Sequence, residues 1–166
     1  MSDTFDLYSK EVMKYFTHPK NIGVIKNADG VGTVGNPRCG DVMKIFIKIG
    51  KRPILIDQKS KTKNQKPKID EEYIKDIKVQ TLGCGAAIAT SSVATEMVKG
   101  KTIAEALNIT NHAVAEALGG LPPIKMHCSV LAEEALRSAL KDYYTKQGLS
   151  VPFEFKEHKH EDEKCL

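Results

Sequence analysis

In two stretches between residues 41 and 82 apolar side chains recur at every second position, and between 86 and 146 at every third or fourth, so strand-forming sequence precedes helix-forming sequence. Asp41 to Ile49 sets Met43, Ile45, Ile47 and Ile49 against Lys44 and Lys48. Tyr73 to Leu82 sets Ile77, Val79 and Thr81 against Lys78 and Gln80. Each stretch reads as a strand with one buried face. Strands collected early and helices late predict an α+β layer rather than alternating parallel crossovers.

In the helical half, Ile88, Val93, Ala94, Met97 and Val98 form the core face of a helix over Ala86 to Lys99, with Gly100 placed to end it. Thr102 and Glu105 have capping-box spacing, and Thr110 caps a further helix that ends at Gly119-Gly120. Leu121-Pro122-Pro123-Ile124-Lys125 is expected to be non-helical, because each proline drives the residue before it away from helix. Leu131, Ala135, Leu136, Ala139, Leu140 and Tyr143 then predict a long final helix to Lys146. Near the N-terminus, Tyr8 to Phe16 suits a short amphipathic helix docked on the sheet and stopped before His18-Pro19. Gly30 to Pro37 is rich in glycine and poor in helix formers.

The two strands are separated by Lys51 to Glu72, a polar, lysine-rich stretch that reads as a long hairpin connection or a partly disordered insertion. Its lysines concentrate the positive charge of a chain whose formal net charge is +4. Without interleaved aromatics they indicate a solvated loop, or a docking patch for an acidic partner, rather than a nucleic-acid surface. No run approaches the roughly 18 consecutive apolar residues of a membrane span, and the N-terminus lacks the apolar core of a secretion signal. The expectation is a soluble cytoplasmic protein, with one domain over 1–147 (the 51–72 stretch being its insertion) and a charged, disordered tail over 148–166.

The chain has four cysteines, Cys39, Cys84, Cys128 and Cys165, none in a Cys-x-x-Cys pair. A chain of this size in a reducing compartment does not need disulfides, so metal or sulfur chemistry is the better account. Cys39 and Asp41 stand two residues apart in Gly35-Asn36-Pro37-Arg38-Cys39-Gly40-Asp41, at the mouth of a strand. Cys84 lies in Gly83-Cys84-Gly85, between a strand end and a helix start, where the helix N-terminus favours a thiolate. Cys128 follows His127 at the start of the final helix. Any one of these cysteines could be an ordinary small buried residue. If the three junctions converge at one end of the sheet, the thiols and Asp41 or His127 supply a four-coordinate site. Cys165, His158 and His160 fall in the tail and have no ordered setting.

Tyr8-Ser9, Gly35 to Asp41, Gly83-Cys84-Gly85, Val98-Lys99-Gly100-Lys101-Thr102, Leu121 to Lys125 and His127-Cys128-Ser129, in this order, resemble the IscU scaffold and the N-terminal domain of NifU. The resemblance spans Tyr8 to Tyr144. It implies a small, mainly antiparallel three-stranded sheet packed against several helices. It also implies a scaffold and carrier rather than an enzyme, in which Cys39, Cys84 and Cys128, with Asp41 and His127, assemble a [2Fe-2S] cluster from iron and sulfide. Cys128 would accept persulfide sulfur from a cysteine desulfurase, and apo-proteins would receive the cluster. Zinc would suit the same ligands in purified protein. Leu121, Pro122, Pro123, Ile124 and Lys125 would bind an Hsp70-type chaperone with its J-domain co-chaperone, Ile124 standing where the family has valine. The long connection and the tail depart from the family pattern. The alternative is a zinc-bound SufU-type sulfurtransferase, which calls for an insertion between the second and third cysteines and no histidine before the last; here that interval looks undisturbed and His127 is present. A third reading is a protein whose zinc is purely structural.

Overall fold

The computed structural model describes residues 7–36, 40–54 and 70–153. Three strands, β1 (Gly30–Asn36), β2 (Asp41–Pro53) and β3 (Asp70–Leu82), form an antiparallel sheet in the order β1-β2-β3. The alternation seen in sequence is the alternation of burial: Met43, Ile45 and Ile47 of β2 and Ile77 and Val79 of β3 are all buried beneath the sheet. Lys48 pairs with Asp76 but Ile49 with Ile74, leaving Lys75 unmatched. This bulge changes the parity of β3, so Ile74 reaches the same core as Ile77. Asp29 braces it, accepting a hydrogen bond from the Ile49 amide at 2.8 Å and one from Lys48 Nζ at 3.0 Å.

One expectation about the sheet needs correction. The lysine-rich connection is shorter than 51–72, because Lys51 pairs with Glu72, Arg52 with Glu71 and Pro53 with Asp70. The Arg52–Glu71 ion pair, 3.1 Å long, ties these strand ends. Residues 55–69 lie outside the described residues. The glycine-rich segment, which carries no strand signal, is strand β1. Its partner is the long helix α5 (Met126–Lys146). A Cβ on Gly32 would stand 2.3 Å from the Ala139 backbone nitrogen and 2.4 Å from the Ala135 carbonyl oxygen. The strand therefore lies directly against the helix backbone, where Ala135 and Ala139 are fully buried. Asp142 of α5 accepts a 2.8 Å hydrogen bond from the Val31 amide at the sheet edge.

Helices α2 (Gly85–Val98), α3 (Ile103–Leu107) and α4 (Asn111–Ala117) lie between the sheet and α5 in the chain, and α2 packs on β3 while α5 packs on β1 and β2. The capping box is present: Thr102 Oγ1 accepts from the Glu105 amide at 3.1 Å, and Glu105 Oε2 accepts from the Thr102 amide at 2.9 Å. Helix α1 (Lys10–Thr17) packs on α2 instead of docking on the sheet, because α2 and α5 cover the sheet's inner face. Tyr15 donates to Glu96 of α2 at 2.6 Å.

The two prolines do not exclude helical structure altogether. Pro123–Lys125 form a single 3-10 turn closed by the Lys125 amide to the Pro122 carbonyl at 2.8 Å. Proline at the first position of such a turn has no donor to lose. Beyond α5, Phe153 packs against the core with the Arg137 guanidinium 5.9 Å from its ring centre, so the segment after residue 147 begins as packed chain. His158, His160 and Cys165 lie outside the described residues.

Candidate metal and sulfur centre

The start of β2, the turn between β3 and α2, and the first turn of α5 meet at one end of the sheet. Asp41, the first residue of β2, is buried there. His127 and Cys128 come from the first turn of α5, and Cys84 is the residue immediately before α2. Asp41 Oδ2 lies 3.7 Å from His127 Nε2 and 3.9 Å from Cys128 Sγ, and His127 Nε2 lies 3.6 Å from Cys128 Sγ. One ligand atom from each falls within a mutual span of 4.8 Å. A tetrahedral zinc with bonds of about 2.0–2.3 Å has ligand-to-ligand edges of about 3.3–3.8 Å, so this triangle fits a metal with little adjustment. Cys84 Sγ is 3.9 Å from Cys128 Sγ, so a further thiol touches the triangle at its cysteine corner without joining the three-residue group.

Gly83 makes the close approach possible. A Cβ there would lie 2.7 Å from Asp41 Oδ1, so any side chain would displace the carboxylate. Cys39, which the sequence places two residues before Asp41, lies outside the described residues.

The two thiols are electrostatically unlike. The hydrogen bond shared with Cys128, against the opposing effect of burial, lowers the Cys84 thiol to about 5; the Ala87 amide and the Lys125 ammonium act in the same direction. The Ala87 amide does so without a capping bond of ordinary geometry. The same bond raises Cys128 far above an ordinary thiol, and its complete burial and the Cys84 and Asp41 charges add to the rise. The shared bond thus separates the two thiols, lowering Cys84 and raising Cys128.

Three further residues belong to this centre. Tyr8 and Leu121 pack against a small cluster of Ala86, Ala87 and Cys128, with Cys84 at its edge. Lys125 carries its charge toward the thiols; burial works against its ammonium, but the Cys84, Tyr8 and Cys128 charges outweigh that and raise its pKa. The sequence marked Leu121 and Lys125 as parts of one loop epitope, whereas the fold turns these two toward the thiols and exposes Pro123 and Ile124. No sequence pattern joins Tyr8 to cysteines 76 and 120 positions away.

The model of the NifU-like N terminal domain matches residues 7–64 and 65–150. The chain belongs to this family. The two matched pieces of the NifU-like domain meet inside the lysine-rich connection. Iron-sulfur cluster assembly scaffold protein IscU 1 of Archaeoglobus fulgidus is 56% identical over 142 residues, which cover 86% of this chain and 80% of that protein. A structure assigned to the SUF-system scaffold of Fervidobacterium islandicum AW-1 is 26% identical with a TM-score of 0.58, covering 83% of this chain and 99% of that one. A nitrogen-fixing NifU-like protein (N-terminal) of Brucella abortus shares the fold alone, at 17% identity and a TM-score of 0.60, over 85% of this chain and 96% of that one. The antiparallel three-stranded sheet with its helices is therefore the NifU-like fold, as the resemblance in sequence implied.

Proposed function

We propose that this protein is an iron-sulfur cluster assembly scaffold that builds a [2Fe-2S] cluster on Cys39, Cys84 and Cys128, with Asp41 and His127 beside them, and passes it to apo-proteins. The observation that carries this reading is the convergence of Asp41, His127 and Cys128 on one point with Cys84 in contact. The high identity to a protein named as such a scaffold supports it. The iron and sulfide are cargo. Soft thiolates suit iron and sulfide, and a carboxylate among them makes a weaker ligand than a fourth thiolate, which favours release.

Sulfur would arrive as the persulfide of a cysteine desulfurase. The Cys128 thiolate attacks the outer sulfur, a new S–S bond forms on Cys128, and the donor's cysteine leaves as thiolate. Burial and the hydrogen bond to Cys84 hold the Cys128 thiol well above the ordinary range, which slows its attack, and a bound cation would lower it. Cation binding is therefore expected to precede sulfur uptake at Cys128. The exposed Pro123 and Ile124 would be the contact for an Hsp70-type chaperone and its J-domain partner. Zinc would occupy the same donors in purified protein. We assign the scaffold to residues 1–147, against whose core Phe153 of the following segment packs, and place the protein in the cytoplasm.

The test is anaerobic reconstitution with ferrous iron, cysteine and a catalytic amount of desulfurase, followed by visible absorption and by transfer to an apo-ferredoxin. A cluster that forms and moves supports the scaffold. Sulfur uptake on a zinc-bound protein with no cluster would replace it with the SufU-type sulfurtransferase.

A further inference from the structure

The Cys84–Cys128 pair has a cover drawn from a distant part of the chain. Tyr8 is half-buried against the cluster that contains Cys128 and touches Cys84, and Leu121 packs on the same cluster. The next residue explains why the ring stays there. Ser9 Oγ accepts the Val12 amide at 3.1 Å as the N-cap of α1 and also donates to the Leu118 carbonyl at the end of α4. A single hydroxyl thus joins the start of α1 to the turn that leads to Leu121. Gly119, with φ of +72°, carries that turn past Ser9, whose Cβ lies 3.4 Å from where a Gly119 Cβ would be.

We infer that Tyr8-Ser9 is an intramolecular strap that limits access to the thiol pair, with Tyr8 as the cover and Ser9 as the positioning residue that holds it. The strap acts on Cys84 first, because Cys84 is the half-exposed thiol and Cys128 lies fully buried behind it. On the scaffold reading, its purpose is to keep the loaded or metal-free thiols from adventitious reagents until a partner moves the ring. The geometry of the strap itself needs neither iron nor a desulfurase.

The test uses the full-length metal-free protein and N-ethylmaleimide, with labelling rates at each cysteine read by peptide mass mapping and Cys165 as internal reference. Tyr8→Ala should accelerate labelling of Cys84 about tenfold, and Ser9→Ala about threefold, through local opening of the strap. Tyr8→Phe keeps the ring and should stay within about twofold of the parent rate. Val12→Ala loosens the same helix from the core without removing the cover, and should leave the Cys84 rate near that of the parent. Labelling repeated in low urea separates local opening, which is insensitive to it, from global unfolding. Unchanged Cys84 labelling in Tyr8→Ala would overturn the strap. So would acceleration in Val12→Ala matching that in Tyr8→Ala, tenfold acceleration in Tyr8→Phe, or a Tyr8→Ala rate that climbs with urea. Because no cluster is assembled in this test, the scaffold reading and the strap can each fail without the other.

Discussion

Glycine serves two regions of this molecule in opposite ways. In the β1–α5 seam, Gly30 and Gly32 let a strand lie on a helix backbone, and the surroundings are apolar: Ala135 and Ala139 beneath, Ile47 alongside. At the candidate metal and sulfur centre, Gly83 lets a buried carboxylate lie against a turn. A Cβ in the seam would strike backbone atoms that cannot move alone. A Cβ at Gly83 would strike the Asp41 carboxylate, which can turn away, and press on the Ala87 Cβ at 3.0 Å. The first region stores stability, the second stores geometry, and the same residue type should therefore fail differently in each.

We predict that Gly32→Ala costs about 3 kcal/mol of unfolding free energy by overpacking. Urea denaturation reads it directly. A cost below 1 kcal/mol would mean that the seam is looser than described. Gly83→Ala should cost far less stability but weaken zinc binding to the metal-free protein about thirtyfold, measured by competition with a chromophoric chelator, since it displaces Asp41 from the donor triangle. Undiminished affinity would remove Asp41 from the ligand set.

The thiols sharpen the contrast. In metal-free protein the rate of Cys84 alkylation should rise with pH through a midpoint at about 5. Cys84 is an acid lowered by folding, so its contribution to stability is complete above the ordinary thiol pKa of 9.0 and is lost as pH falls through about 5. Cys128→Ala removes the shared hydrogen bond and should move that midpoint upward, slowing Cys84 alkylation at pH 6.5 about tenfold. An unmoved midpoint would assign the thiolate to the helix start and Lys125 instead. The smallest effect is expected from chelation: stripping metal should cost under about 1 kcal/mol beyond the mass-action contribution, because the apolar cluster under the sheet is built without it. Unfolding on chelation would point to a structural zinc, the one reading in which the centre and the core are a single region.

Legibility followed the range of each interaction. The Thr102–Glu105 box spans three residues and was readable because both partners lie within one turn. The alternation of Met43, Ile45 and Ile47 was readable because a strand repeats its burial every second residue. β1 was not, since its glycines are explained only by a helix a hundred residues later that meets them backbone to backbone. Phe46 breaks the same alternation: it is buried on the outer face, under the Lys44 ammonium 5.3 Å from its ring centre, an arrangement no period-two pattern announces. The bulge at Lys75 likewise shows only in the register, although Ile74 depends on it.

The sequence by itself determined which groups are available: thiols at three element junctions, a carboxylate at a strand start, a histidine beside the last of those thiols, and helix starts that favour anions. Those are properties of residue type and of neighbours a few positions apart. Only the tertiary structure decided that Asp41, His127 and Cys128 share one point with Cys84 touching Cys128, that the Cys84 thiol is lowered and the Cys128 thiol raised, and that Tyr8 packs on the cluster that contains Cys128. Each of these depends on a distance of a few ångströms between segments far apart in the chain, and proton affinity responds to that distance rather than to sequence separation.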